Sequence, residues 1–206
     1  DFWEHQGTGD LVYDLNDPSY NIMYLATDDH DSWFTNNRGV LKSTDGGATW
    51  NIVGLDFAQA GNVYKLGLQP DGSNLFACAT NGLFTSSDGG VTWVKNAGLD
   101  ALGIIVNDLE YHPTNSMIMY ASERGMAEGS NGPMGAMNTQ YFYVSTDGGV
   151  TWTQPTMPFD SEGRTTQVCV TADNPDIFII GAYPAGPGYT DVGARVAKYV
   201  QSTGVV

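Results

Sequence analysis

The eight residues Ser43-Thr44-Asp45-Gly46-Gly47-Ala48-Thr49-Trp50 recur twice in the chain with only small changes. The second copy runs from Ser86 to Trp93, and the third runs from Ser145 to Trp152. The copies begin 43 and 59 residues apart. Self-similarity at a spacing of this size indicates that the chain repeats one supersecondary unit.

Two strand-length apolar segments, joined by a turn, precede each of these octapeptides. Their lengths and the bounding Pro, Gly, Asn and Asp residues are typical of β-strands separated by tight turns. A fourth pair of segments follows the third octapeptide. The predicted pairs are residues 11–16 and 22–27, 64–68 and 75–80, 108–111 and 117–122, and 168–171 and 177–182. With the strands that flank the octapeptide, each unit has four strands, which is typical of a β-propeller blade.

All three octapeptides resemble the Asp-box, or BNR, motif Ser-x-Asp-x-Gly-x-Thr-Trp and match it at every defined position. The resemblance implies a β-propeller of the kind found in sialidases, sortilin-type receptors, xyloglucan-cleaving hydrolases and photosystem assembly factors. We therefore expect an all-β fold in which residues 1–206 form one β-propeller, or a propeller segment, of four-stranded antiparallel blades. The expected blades are residues 10–53, 62–96, 106–154 and 166–206, the last completed by residues 1–6.

The two ends of the chain resemble complementary parts of one further unit. Residues 197–204 align with a third strand and the start of an Asp-box, and residues 1–4 resemble the end of a box and its outer strand. Either residues 2–5 close the fourth blade, or the chain is an arc of a larger propeller. We favour an arc or a ring of several chains, because Asp-box families usually have six or more blades.

The defined residues of the boxes are expected to be structural. Each Asp carboxylate can accept backbone N–H groups inside its turn, each glycine pair allows positive φ, and each Thr is expected to begin the outer strand. The Trp side chains would fill space beside or between blades. These residues are Ser43, Asp45, Gly47, Thr49, Trp50, Ser86, Asp88, Gly90, Thr92, Trp93, Ser145, Asp147, Gly149, Thr151 and Trp152. One carboxylate per turn is too few for the roughly six to eight oxygens that bind calcium, so we expect no metal in the boxes. For the chain as a whole we also expect no metal and no cofactor.

The chain is strongly acidic, with 23 Asp and Glu against 8 Lys and Arg and a net charge of −15. Such a surface repels phosphate backbones and anionic membranes, so we expect no nucleic-acid partner and no membrane insertion. The first residues lack the basic and then apolar pattern of a secretion signal. We expect an extracellular or cell-surface protein whose signal is removed or lies outside this chain.

Binding is expected in the long loops at the blade ends opposite the Asp-boxes, because functional residues concentrate on loops carried by a rigid scaffold. Loops between second and third strands are residues 28–38, 123–139 and 183–195, and inter-blade loops are residues 54–62, 98–106 and 155–166. Candidate ligand-binding residues are Asp29, His30, Asp31, Trp33, Arg38, Arg124, Arg164, Tyr189 and Arg195. The loop at 28–38 could bind a divalent ion, offer Trp33 to a sugar ring, or be an acidic solvated segment.

The four arginines do not fit a sialidase site, because that family binds a sugar carboxylate with three arginines, the first in Arg-Ile-Pro. None of the arginines here is followed by Ile-Pro. They either contact a glycan or anion through bidentate donors, or balance an acidic surface.

One segment indicates hydrolysis. The residues from Met23 to Asp28 resemble the place in xyloglucan-cleaving hydrolases where a strand ends in Thr-Asp and that Asp is the catalytic base. The resemblance assigns this role to Asp28, although Asp29-His30 stands where that family has Gly-Gly. Glycoside hydrolysis needs a second carboxyl group. Our candidate is Glu123, and the alternatives are Glu128, Asp160 and Asp191.

Three functions therefore stay open. The first is an extracellular module that binds carbohydrate or a protein partner through its loop face. The second is a xyloglucanase-like glycoside hydrolase, and the third is an assembly protein whose open blade edges, at residues 2–5 and 198–202, pair with other chains or copies of itself. Cys78 and Cys169 lie on different predicted blades and are expected to be buried free thiols.

Overall fold

The computed structural model describes residues 8–27, 38–100, 106–123, 142–155, 163–171, 177–184, 195–200 and 202–204. The chain divides into two compact units, Asp1–Gly103 and Ile104–Val206. Each unit contains two antiparallel sheets. The expected all-β fold of propeller-type blades is confirmed.

The first unit contains two four-stranded sheets whose strands follow chain order. The first blade consists of β1 (Thr8–Tyr13), β2 (Met23–Thr27), β3 (Val40–Ser43) and β4 (Asn51–Ile52). The second consists of β5 (Val63–Leu68), β6 (Leu75–Ala79), β7 (Gly82–Ser86) and β8 (Val94–Lys95). Two one-turn helices, α1 (Phe57–Ala60) and α2 (Ala97–Asp100), follow the outer strands. They occupy segments that the sequence predicted as inter-blade connections.

The second unit contains two sheets with three described strands each. The third blade has β9 (Val106–His112), β10 (Asn115–Glu123) and β11 (Phe142–Ser145), and a single bridge joins Val144 to Thr153 where an outer strand was expected. The fourth blade has β12 (Gly163–Val170), β13 (Ile177–Pro184) and β14 (Arg195–Val200). The predicted closing strand at residues 2–5 lies outside the described residues.

The core of the first unit lies between its two sheets. Buried side chains of β2, β3, β5 and β6 form one cluster that includes Tyr24, Val40, Leu66 and Leu75. Alanines on the second strands, such as Ala77, are fully buried. Small side chains there leave room for the larger side chains of the facing sheet.

The core of the second unit is aromatic. Tyr120, Phe142 and Tyr199 are all buried. The ring centroids of Tyr120 and Phe142 lie 6.2 Å apart, and those of Phe142 and Tyr199 lie 5.4 Å apart. Val144 and Val168 complete this cluster, so β10, β11, β12 and β14 share one packed interior.

An aspartate on an inner strand links the two blades of each unit. In the first unit, Asp10 accepts a hydrogen bond from the backbone N of Leu11 at 2.9 Å and another from Leu66 on β5 at 3.1 Å. In the second unit, Asp108 accepts from Leu109 at 3.0 Å and from Val168 on β12 at 2.9 Å. This link is not among the sequence-based expectations, although the pattern Asp-Leu-x-Tyr occurs at both 10–13 and 108–111.

Two local expectations were wrong. Neither cysteine is in a disulfide, and Cys78 is buried on β6, as expected, but Cys169 is exposed. Cys169 follows buried Val168 on β12, and successive side chains of a strand point to opposite faces. The box threonines also do not begin the outer strands, since β4 begins at Asn51 and β8 at Val94, two residues after Thr49 and Thr92.

Candidate functional site

Each Asp-box turn is closed by its own side chains. Ser43 Oγ donates to Asp45 Oδ1 at 2.8 Å, and the backbone N of Gly47 donates to Ser43 Oγ at 2.8 Å. Thr49 donates to the same carboxylate through its backbone N at 2.8 Å and through Oγ1 at 2.6 Å. The boxes of Asp88 and Asp147 repeat this arrangement. The carboxylate oxygens are therefore occupied within the turn.

These hydrogen bonds lower the pKa of the box carboxylates. The side chain and backbone of Thr49 and the hydroxyl of Ser43 lower the pKa of Asp45 from 3.8 to about 2. The corresponding groups of Thr92 and Ser86 lower the pKa of Asp88 to about 2. Burial pushes the pKa of Asp147 up, but the hydrogen bonds from Thr151 and Ser145 outweigh it and leave that pKa below its ordinary value.

We expect acid to destabilise the fold through these turns. A carboxyl group whose pKa is lower in the folded state contributes stability above its unfolded pKa, and loses it as the pH falls through the folded value. The melting temperature should therefore fall between about pH 4 and pH 2 as Asp45 and Asp88 become protonated. The measurement is a circular dichroism melt at each pH.

The double variant Asp45→Asn, Asp88→Asn should melt lower at neutral pH and show a flatter acid limb. Asp56→Asn is the matched control, because Asp56 accepts from Gln59 N at the start of α1 and lies outside the boxes. An unchanged acid limb in the double variant would contradict the assignment.

The box of the second blade also joins the two blades of the first unit. Trp93 Nε1 donates to Gly90 O at 2.8 Å and to Val53 O of the first blade at 3.3 Å. The carbonyl oxygen of Gly89 accepts from Lys42 Nζ at 3.0 Å and from Tyr24 Oη at 3.3 Å. These contacts commit the second box to packing between the two blades, whereas the loop at 28–38 leaves from the opposite end of β2 and β3.

At that opposite end, Thr27 fixes the base of the loop at 28–38. The buried Thr27 Oγ1 donates to Gly39 O at 2.9 Å and accepts from Arg38 N at 2.9 Å. Thr27 N also donates to Gly39 O at 3.0 Å. Thr27, the residue before the loop, is therefore held to Arg38, the last residue of the loop, and to Gly39, which follows it. Sequence reasoning used Thr27 only as a neighbour of Asp28 and missed this role of Thr27 and Gly39.

The second blade has a much shorter connection at this end. A turn at Thr80 and Asn81 joins β6 to β7. Asn81 donates from Nδ2 to Gln59 O at 2.9 Å, and Tyr64 Oη hydrogen-bonds Thr80 Oγ1 at 2.7 Å. The second blade therefore ends here in a short turn that is fixed by hydrogen bonds. It is the neighbour of the blade that carries the loop at 28–38.

The predicted site residues fall into two groups. Arg38 is half-buried beside Thr27, and Glu123, Arg164 and Arg195 lie on β10, β12 and β14 at the sheet ends from which the long connections leave. The remaining candidates, Asp28, Asp29, His30, Asp31, Trp33, Arg124 and Tyr189, lie outside the described residues.

Two features are absent from the part of the chain that the structure describes. Within it, no three His, Cys, Asp or Glu side chains come together to hold a metal ion. No helix there is long and apolar enough to cross a membrane.

Comparison with known proteins gives three kinds of similarity. The BNR/Asp-box repeat family model matches residues 143–154. A xyloglucanase from Paenibacillus sp is 32% identical over 99% of this chain and 21% of its own length. The xyloglucanase Xgh74A of Acetivibrio thermocellus is 28% identical over 99% of this chain and 26% of its own length. The chain thus spans about a fifth to a quarter of the curated relatives.

Two crystal structures share the fold. An ancestral GH74 enzyme covers 84% of this chain with a TM-score of 0.67 and 23% identity, over 21% of its own chain. The GH74 xyloglucanase of Xanthomonas campestris covers 98% of this chain with a TM-score of 0.62 and 20% identity, over 30% of its own chain. Similarity at this identity establishes the fold alone.

Proposed function

Because the chain is an Asp-box repeat protein built from β-propeller blades, we propose that it forms part of the substrate-binding face of a xyloglucan-cleaving glycoside hydrolase. The observation that carries the proposal is the alignment of 99% of the chain with a xyloglucanase at 32% identity. The acidic charge of −15 does not oppose a neutral polysaccharide, whereas it disfavours nucleic acid. Xyloglucan cleavage would place the protein outside the cell or on its surface.

The loop at 28–38 would supply the chemistry. Glycoside hydrolysis needs one protonated carboxyl group to donate to the leaving oxygen, and one ionised carboxylate to activate water or attack the sugar. Asp28 directly follows Thr27, whose hydrogen bonds to Gly39 and Arg38 hold the loop base. We assign Asp28 the ionised role, and Glu123 stays our prediction for the second carboxyl group. The indole of Trp33 would stack on a sugar ring of the bound polysaccharide.

The test is release of reducing ends from xyloglucan by the wild type and by Asp28→Asn. The wild type should release them, and the variant should lose activity by about a hundredfold or more, since a positioned acid or base contributes that much. Asp56→Asn is the matched control because it alters a carboxylate outside this loop. Absence of release from xyloglucan, cellulose and mixed-linkage glucan would overturn the hydrolase proposal.

Binding without cleavage would favour the second candidate, a carbohydrate-binding module. Affinity electrophoresis in xyloglucan gels separates the two functions, because mobility falls with binding whether or not the polymer is cut. We expect retarded mobility for both the wild type and Asp28→Asn. Mobility that does not change with xyloglucan would contradict both functions.

A further inference from the structure

The turn between β1 and β2 presents two exposed aromatic rings. Tyr13 and Tyr20 have exposed fractions of 46% and 56%. Their ring centroids lie 5.6 Å apart with the planes at 72°, an edge-to-face arrangement. The turn lies at the Asp-box end of the first blade, where Gly46 N donates to Asn21 O at 3.1 Å. This aromatic pair therefore lies at the opposite end of the β1–β2 pair from Thr27, the residue before the loop at 28–38.

The backbone of Tyr20 is unfavourable for a tyrosine. Among the described residues, Tyr20 is the one non-glycine residue with positive φ, at +53°. The corresponding turn of the second blade has Gly72 at this position, with φ of +73°. Tyr20 N donates to Asp17 O at 3.0 Å, and Gly72 N donates to Gln69 O at 2.7 Å, so the two turns match. A side chain here costs free energy, and the exposed ring does not recover that cost by burial.

The turn is nevertheless held firmly. The carboxylate of Asp17 accepts from the backbone N of Ser19 at 3.0 Å, Asn21 at 2.7 Å and Ile22 at 3.0 Å. The bonds from Ser19, Ile22 and Asn21 outweigh the effect of burial and lower the pKa of Asp17. The ring of Tyr20 is therefore displayed from a preorganised backbone, and a preorganised group binds a ligand at a smaller entropic cost.

We propose that Tyr13 and Tyr20 form a second carbohydrate-binding site, which takes pyranose rings of a neutral β-glucan chain. A pyranose ring has apolar C–H faces and a polar rim, and a tyrosine ring matches it with an apolar face and a hydroxyl group. The same turn carries further exposed polar residues, namely Asn16, Ser19 and Asn21. The ligand class rests on the proposed function, but the site lies outside the loop face and would hold polysaccharide while cleavage occurs elsewhere.

A different occupant is a neighbouring blade. In the strand register, Tyr13 corresponds to Leu68, which is partly buried against the core between the first two blades. A second copy of the chain that packed on β1 would cover Tyr13. Tyr20 gives the reason to prefer a sugar, because the corresponding Gly72 packs against the first turn so closely that an added β-carbon would lie 2.7 Å from Asn16 Nδ2.

The test compares affinity for xyloglucan oligosaccharides by calorimetry in an Asp28→Asn background, which prevents cleavage. Tyr20→Gly relieves the positive φ, so it should fold with an equal or higher melting temperature while affinity falls by about tenfold. Tyr13→Ala should lower affinity similarly, and Tyr20→Phe should retain it. Unchanged affinity in both Tyr20→Gly and Tyr13→Ala would overturn the site.

Sedimentation velocity on the same variants separates the two occupants. Self-association of the wild type that disappears in Tyr13→Ala and Tyr20→Gly, with unchanged sugar affinity, would assign the pair to a contact between copies and overturn the proposal. Failure of the proposed function would be seen in a different measurement. The wild type would then leave xyloglucan uncut, while Tyr13→Ala and Tyr20→Gly would still lower the affinity for its oligosaccharides.

Discussion

Gly39→Ala is expected to unfold the first unit or to destabilise it by about 3 kcal/mol or more. Gly39 has φ of +79°, and an alanine β-carbon would overlap the carbonyl oxygen of Leu55. The backbone cannot move away cheaply, because Val40 N donates to that same oxygen at 3.1 Å and Thr27 holds Gly39 O through two hydrogen bonds. Urea unfolding followed by circular dichroism measures the loss.

Gly204→Ala is the control for the effect of φ alone. Gly204 has φ of +66°, and its added β-carbon would meet nothing within 4 Å. It should therefore cost only about 1 kcal/mol, the usual cost of a left-handed non-glycine residue. If the two variants lose equal stability, the close approach of Leu55 to Gly39 does not matter and the account of the loop base is wrong.

The Asp-box turns could be predicted from sequence because their bonds are local. Ser43, Asp45 and Thr49 lie within seven residues, and the same bonds recur at the other two boxes. A repeated octapeptide therefore carries nearly all the information that its turn needs. The sequence predicts that the outer strands begin two residues before they do in the structure. Each of these strands has only two residues, and the hydrogen bonds of Thr49 and Thr92 to the box aspartates keep both threonines in the turn.

Features that depend on distant residues could not be predicted in this way. Asp10 accepts from Leu66 across 56 positions and Asp108 accepts from Val168 across 60. Apart from the shared Asp-Leu-x-Tyr pattern, nothing local distinguishes these carboxylates from solvated ones. Gly39 resembled an ordinary loop glycine, because its close neighbour, Leu55, comes from the segment after β4. For the candidate site, the sequence located the loop ends, while the bonds of Thr27 that fix them required the assembled sheet.

Asp108→Ala is expected to destabilise the second unit by about 2–3 kcal/mol, because it leaves the backbone N–H groups of Leu109 and Val168 without the carboxylate that accepts them. All three residues are buried, so water cannot readily replace the lost acceptor. Asp10→Ala removes the corresponding acceptor of Leu11 and Leu66 in the first unit. The two variants therefore serve as controls for one another.

Hydrogen exchange followed by mass spectrometry shows which unit each variant destabilises. Asp10 should protect β5 in the first unit, and Asp108 should protect β12 in the second. Asp108→Ala should speed exchange in peptides that contain Val168 and leave peptides that contain Leu66 unchanged, and Asp10→Ala should do the reverse. Contiguous segments that open together define cooperative units of a native protein. Equal loss of protection in both units from either variant would contradict blade pairs as separate units. The reciprocal pattern would instead mean that the cooperative unit of unfolding is a pair of adjacent blades linked by one aspartate carboxylate.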